Sequence, residues 1–196
     1  VIPAEFAERV LEWYDCHGRR HLPWQRDPTP YRVWISEIML QQTRVETVIP
    51  YFQRFVVRFP DPLALASAEL DEVLGLWAGL GYYSRARNLH AAAHRVRDLY
   101  GGRLPMSIEE LSELPGIGRS TAGAVLSLGA GQPHPILDGN VKRVLSRVSL
   151  VEDWTGRVAV ERRLWRIAEE ALPQSRAGAY NQGMMDLGAM LCTRRQ

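Results

Sequence analysis

LPGIGRSTAGAV, residues 114–125, sets a Pro-Gly-x-Gly turn directly before a run of small residues. Pro115 fixes one backbone angle, while Gly116 and Gly118 permit positive φ and carry no side chain, so successive amide hydrogens can point outward where the next helix starts. Such a turn either joins two helices tightly or holds a nucleic-acid phosphate without reading sequence. The residue after Arg119 is Ser120. An amine at that place can form an imine and a hydroxyl cannot, so its identity separates two chemistries; a serine there also suits a helix cap.

Outward from this turn, nearly every segment between Gly and Pro breaks has apolar residues at three- and four-residue spacing, and no stretch alternates convincingly over five or more positions. The fold is therefore read as all-α. Phe6, Val10, Leu11 and Trp13 set one face of a first helix that ends before His17-Gly18. Thr29 can cap a helix carrying YRVWISEIML, with Pro30 in its first turn, where no amide hydrogen is needed. Leu70, Val73, Leu74 and Trp77 repeat before the break GLG at 79–81, and Leu89, Ala93 and Val96 continue a further helix. Ser107 with Glu110 fits a capping box, and LPGIG joins that short helix to STAGAVLSLGAG. Asp138 precedes a helix with Val141, Val144, Leu145 and Val148, and others pass through Leu164 and Ile167 and through Met184, Leu187 and Leu191. The pattern predicts about ten helices.

A chain of 196 residues with 46% hydrophobic content can bury a real core. The net charge is only +2, so a nucleic-acid site has to be a local cluster of Arg and Lys on a nearly neutral body. The opening VIPAEFAERVLEWYD carries charges every few residues and reads as neither a signal peptide nor an anchor. No run of about 20 apolar residues occurs, and the protein reads as cytoplasmic. Two cysteines, Cys16 and Cys192, make no disulfide framework. The sequence begins at Val1 and stops four residues after Cys192, so both ends look cut.

Two carboxylates stand out. Glu37 has Val33 and Trp34 one turn behind it and Leu40 one turn ahead, on a helix that Tyr31, Trp34, Ile35 and Ile38 mark as buried on most sides. A carboxyl group in apolar surroundings holds its proton to higher pH, which suits a general acid. Asp138 in ILDGNVKRV reads on its own as a helix N-cap. Paired with Glu37 it gains a second use, because cleaving a purine deoxynucleoside needs a protonated leaving base and an anion near the oxocarbenium-like sugar.

With LPGIGRSTAGA, EIMLQQTRV, GLGYYSRARNL, LDGNVKRV and MDLGAMLCTR present in order, the chain resembles, over essentially its whole length, the catalytic domain of MutY-type adenine DNA glycosylases, in the helix-hairpin-helix superfamily that includes endonuclease III. The resemblance implies a six-helix barrel lobe at 22–132, with the helix-hairpin-helix at about 107–126, and a second lobe from 1–21 plus 133–196, with DNA across the cleft. It implies double-stranded DNA carrying adenine opposite 8-oxoguanine or guanine as partner, base-excision repair as the process, and a monomer. In the endonuclease III branch a lysine after the arginine attacks the sugar; Ser120 at this place implies a monofunctional enzyme that uses water and leaves the strand intact.

By position, the resemblance makes Glu37 the acid that protonates the flipped adenine at N7 and then helps to activate water. Asp138 stabilises the cationic sugar, supported by Asn140. Flipping is needed because the bond is inaccessible in the duplex. Gln42 and Tyr82 match the family's wedge beside 8-oxoguanine, an amide and a ring suited to filling a stack, with Gln41 and Thr43 beside them as DNA contacts. Arg20, Trp24, Leu40 and Gln182 map to the adenine pocket, although Trp24 also reads as plain core. Gly116, Gly118, Ser120 and Lys142 map to the DNA-binding set. Cys192 matches the first of four ligands of the family's 4Fe-4S iron-sulfur cluster; one thiolate cannot hold it. The chain therefore reads as a piece truncated before the cluster loop and the family's C-terminal domain, with a clusterless natural protein as the other reading.

Three rival readings stay open: a bifunctional glycosylase-lyase, with Lys142 as a stray nucleophile; a relative removing thymine from G·T mismatches, which pocket residues such as Arg20, Trp24 and Gln182 distinguish; and a DNA-binding module without activity.

Overall fold

The computed structural model describes residues 2–193, and every regular element among them is helical. In chain order these are α1 (Phe6–His17), a 3₁₀ turn (Pro23–Gln25), α2 (Pro30–Leu40), α3 (Val45–Arg58), α4 (Pro62–Ala66), α5 (Leu70–Trp77), α6 (Ser84–Tyr100), α7 (Ile108–Ser112), α8 (Arg119–Ala124), a π-helical segment (Val125–Gly129), α9 (Gly139–Val148), α10 (Val158–Glu170) and α11 (Ala177–Met190). Packing divides the chain into two compact units. One runs His21–Ala130, and the other joins the residues up to Arg20 with those from Gly131 onward. No helix among the described residues is long and apolar enough to cross a membrane.

In the His21–Ala130 unit, α2 is the buried central helix. The Thr29 side chain accepts from the Arg32 N–H at 3.3 Å, and Pro30 occupies the first turn. Tyr31, Val33, Trp34, Ile35, Ile38 and Met39 are all buried, because α3, α6, α8 and the π-helical segment pack around α2. Each large apolar side chain so enclosed contributes about 1.5–3 kcal/mol. The Tyr31 hydroxyl donates to the Phe59 carbonyl at 2.8 Å, and Phe55 meets Phe59 and Trp77 edge to face. The sequence predicts one continuous helix through STAGAVLSLGAG; instead α8 widens into the π-helical segment. That segment ends where Gly129 lies against Pro30 so closely that a Cβ would stand 2.7 Å from the proline Cα.

The hairpin of α7 and α8 is capped by Ser107, whose Oγ accepts from the Glu110 N–H at 3.4 Å. Leu114 and Ile117 anchor the turn in the core. Gly116 adopts φ +79°, and a Cβ there would stand 2.9 Å from that of Asn88. Gly118 is extended at φ −93° and is itself the N-cap of α8. The left-handed freedom expected of both glycines is used by Gly116 alone, and the N-cap place expected of Ser120 is held by Gly118, two residues earlier.

In the other unit α1 and α9 pack on α11, and α10 packs on α9. Two glycines of α11 permit this closeness: a Cβ on Gly183 would stand 3.1 Å from Val10 and Tyr14 side chains, and one on Gly188 would stand 2.6–2.8 Å from Asn140. Asp186, fully buried, accepts from the Arg19 backbone N–H (2.8 Å), Nε (2.9 Å) and Nη2 (2.7 Å), which ties the end of the first segment to α11.

Candidate active site

Glu37 lies on α2 and is half-buried, with Trp34 one turn behind it fully enclosed. It is engaged by a neighbouring group. Val33 and Trp34, one turn behind it on the same helix, are buried, and Leu40, one turn ahead, is half-buried.

Asp138 is the N-cap of α9. Its Oδ1 accepts from the backbone N–H groups of Asn140 (3.1 Å) and Val141 (2.8 Å), and its Oδ2 accepts from Asn140 Nδ2 at 3.1 Å. Asn140 is held in turn, because Arg143 Nη2 donates to its Oδ1 at 2.8 Å and to the Gly188 carbonyl at 2.5 Å. Burial pushes the Asp138 carboxyl above its ordinary value, and the bonds from Val141 and Asn140 and the charge of Arg143 pull the other way. The result is an orientationally fixed carboxylate at a positive helix end, able to face a developing cation. Arg143 carries no sequence signal of this role: it reads as one more charge on an amphipathic helix.

Gln41, Gln42 and Thr43 follow the end of α2, and Tyr82 follows α5. Gln42 and Tyr82 are both exposed and both left-handed, at φ +58° and +49°. One buried side chain, Arg85, gathers these two segments. Sequence reasoning passed over it, although a signal exists: Arg85 shares a helical stripe with Leu89, Ala92, Ala93 and Val96, the apolar face of α6.

The remaining positions are placed as follows. Trp24, in the 3₁₀ turn, is 7% exposed and edge-on to Phe52, a core position. Leu40, the last residue of α2, is half-buried. Arg20 is exposed, pairs with Asp15 at 3.2 Å and covers the Tyr14 ring. Gln182 is buried and donates to Asp186 at 3.1 Å. Lys142 pairs with Glu161 at 2.7 Å. Ser120 is half-buried in the first turn of α8 and is engaged by a neighbour.

Cys192 Sγ accepts from Arg147 Nη1 at 2.8 Å, and its carbonyl accepts from Arg143 Nε at 2.7 Å. Among the described residues no three His, Cys, Asp or Glu side chains gather to hold a metal. The residues present, with Cys192 as the one thiolate at this place, do not fit a four-iron cluster.

Residues 35–170 match the HhH-GPD superfamily base excision DNA repair protein family. The chain is 47% identical over 188 residues to an adenine DNA glycosylase of Buchnera aphidicola subsp. Schizaphis graminum (strain Sg), a match covering 96% of this chain and 54% of that protein. It thus spans about half the length of that relative. A thymine-DNA glycosylase of Aeropyrum pernix is 37% identical over 96% of this chain and 86% of its own length. The solved structure of a thermostable thymine-DNA glycosylase superposes with a TM-score of 0.84 at 28% identity, covering 97% of this chain and 88% of that one. An all-helical fold with the LPGIG hairpin, a family match across most of the chain and this structural likeness agree: the chain belongs to the HhH-GPD superfamily of base excision DNA repair proteins.

Proposed function

We propose that this chain is the catalytic part of a monofunctional adenine DNA glycosylase, acting in the cytoplasm on double-stranded DNA with adenine opposite 8-oxoguanine or guanine. The observation that carries the reading is Asp138, a carboxylate fixed through both oxygens at the start of α9. Such a group is suited to stabilising an oxocarbenium-like sugar. The adenine names of relatives at 47% identity support the choice of base.

In this mechanism the target nucleotide leaves the stack. Glu37 donates its proton to adenine N7, and the bond between N9 and the sugar C1′ breaks with its electron pair going to the base. Asp138 faces the cationic sugar, held in orientation by Asn140. The Glu37 carboxylate then takes a proton from water, whose oxygen bonds to C1′. The products are free adenine and an abasic strand. Ser120 offers no amine for an imine, so the strand stays intact. Gln41, Gln42, Thr43 and Tyr82 contact the opened stack, and the LPGIG turn grips a phosphate.

Removal of thymine from G·T pairs is the second reading, favoured by the relative and the solved structure that this chain covers almost end to end. Single-turnover incubation with duplexes carrying A opposite 8-oxoguanine, A opposite G and T opposite G separates the two. Adenine release with strand breaks only after alkali is expected. Thymine release alone, or breaks without alkali, overturns the proposal.

A further inference from the structure

We infer that Arg85 is the positioning residue that sets how Gln42 and Tyr82 meet the duplex, so that discrimination between 8-oxoguanine and guanine opposite adenine depends on a side chain that touches neither base. The inference rests on the reading of Gln42 and Tyr82 as DNA contacts.

The two residues share an unusual state. Side chains other than glycine avoid left-handed backbone because Cβ crowds the following carbonyl, yet Gln42 and Tyr82 adopt it while pointing into solvent. With no burial of their own to hold that backbone, the restraint has to come from the segments around them. Arg85 supplies it. Its Nη1 donates to the carbonyls of Ile38 (3.0 Å), Met39 (2.7 Å) and Gln41 (2.6 Å). Its Nη2 donates to Thr43 Oγ1 (3.1 Å) and to the carbonyls of Leu80 (3.4 Å) and Gly81 (3.1 Å). Gln42 is therefore bracketed by two residues bound to one guanidinium, and Tyr82 follows two more.

The rings complete the clamp. The Arg85 guanidinium lies 5.4 Å from the Tyr82 and Trp77 ring centres, and Trp77 Nε1 donates to the Gly81 carbonyl at 3.0 Å. The Arg85 backbone N–H donates to the Tyr82 carbonyl at 3.0 Å. Ile38 and Met39 carry carbonyls of the last turn of α2, which lack helical donors and attract a cation. A guanidinium presents a planar fork that reaches both segments at once, whereas an ammonium is a compact charge with three donors. Arg85 is 8% exposed, and its partners are carbonyls, a hydroxyl and rings, so a desolvated cation is held by dipoles alone.

The test compares single-turnover adenine release opposite 8-oxoguanine and opposite guanine for the parent, Arg85→Lys, a Gln42→Ala/Tyr82→Ala variant and the combination. Arg85→Lys is expected to lower the ratio of the two rates about tenfold, the size of one or two lost hydrogen bonds to a charged donor. In the Gln42→Ala/Tyr82→Ala background it is expected to change the ratio no further, the signature of residues acting as a unit. An unchanged ratio in Arg85→Lys, or an equal loss in both backgrounds, overturns the inference. A parental ratio in Gln42→Ala/Tyr82→Ala shows instead that the underlying reading of those two residues fails, and the inference falls with it. If Arg85→Lys does not fold by circular dichroism, Trp77→Phe removes one donor to Gly81 and keeps the cation; a ratio lowered about threefold supports the clamp, and an unchanged one overturns it.

Discussion

Replacing Asp138 with asparagine separates the work of its charge from the work of its hydrogen bonds. Oδ1 accepts from the backbone N–H groups of Asn140 and Val141. An amide oxygen keeps both bonds, so Asp138→Asn retains the cap of α9. Asp138→Ala loses it, and lies below Asp138→Asn by about 1–2 kcal/mol at every pH. The charge acts in the opposite sense. Burial raises the folded-state pKa of Asp138 above the ordinary 3.8. In the window above that value, folded Asp138 keeps a proton that the unfolded chain has lost. The folded state binds more protons there, so stability falls as pH rises and levels off above the folded pKa. Asp138→Asn has no such proton, and its stability relative to the parent climbs across the window at no more than about 1.4 kcal/mol per pH unit. Urea denaturation of the three proteins from pH 4 to 8 at ~0.5 unit intervals reads this directly. A difference between parent and Asp138→Asn that is flat with pH, or that favours the parent toward neutral pH, refutes the burial argument. On the proposed mechanism adenine release is expected to fall strongly in the same variant, so that the substitution that relieves the folded state removes the chemistry.

Four further outcomes are expected. Glu37→Gln lowers single-turnover adenine release by at least about 100-fold, the usual weight of a general acid, and leaves DNA affinity unchanged; a parental rate removes Glu37 from the mechanism. Gly188→Ala drives a methyl into Asn140 and costs about 1–3 kcal/mol in chemical denaturation, while Gly139→Ala, with open space at its Cβ, does not. Arg19→Ala leaves the buried Asp186 carboxylate without its cation and costs about 3–5 kcal/mol by the same measurement. Affinity for duplex DNA, read by fluorescence anisotropy, falls linearly on a log–log plot against salt as phosphate contacts release counterions.

Legibility in the sequence followed the kind of physics involved. Local signals carried far: the Thr29 and Asp138 caps and the repeats behind α5, α6 and α9 are decided within a few residues of chain, and the structure has them. What depends on contacts distant in sequence was not legible. The π-helical segment ends against Pro30, some hundred positions earlier, and nothing in VLSLG announces it. Gly116 and Gly118 look alike on paper, but Asn88 crowds only the first. At the candidate site the residue names were readable from motifs, whereas the side chains that hold them were not. Arg143 reads as a surface charge until its acceptor on α11 is known, and the apolar stripe that marks Arg85 as buried does not tell which carbonyls it binds.

Those two arginines also show why the chain carries features that work against stability. The buried Arg85 cation has an unpartnered Nε among the described residues, Gln42 and Tyr82 sit in strained backbone, and the half-buried Asp138 carboxyl is held above its ordinary pKa by desolvation. A sequence selected only to fold would place glycine at 42 and 82 and an apolar side chain at 85. Each substitution relieves a local penalty, and on the proposed function each removes something that chemistry on a flipped base needs: an exposed amide, an exposed ring, or the fork that orients both. In the His21–Ala130 unit the penalties fall at the ends of α2 and α5, beside the packed pair α2 and α6; in the other unit they fall at the start of α9, which packs on α11. On the proposed function, the left-handed backbone of Gln42 and Tyr82 holds an exposed amide and an exposed ring in place in advance of a substrate.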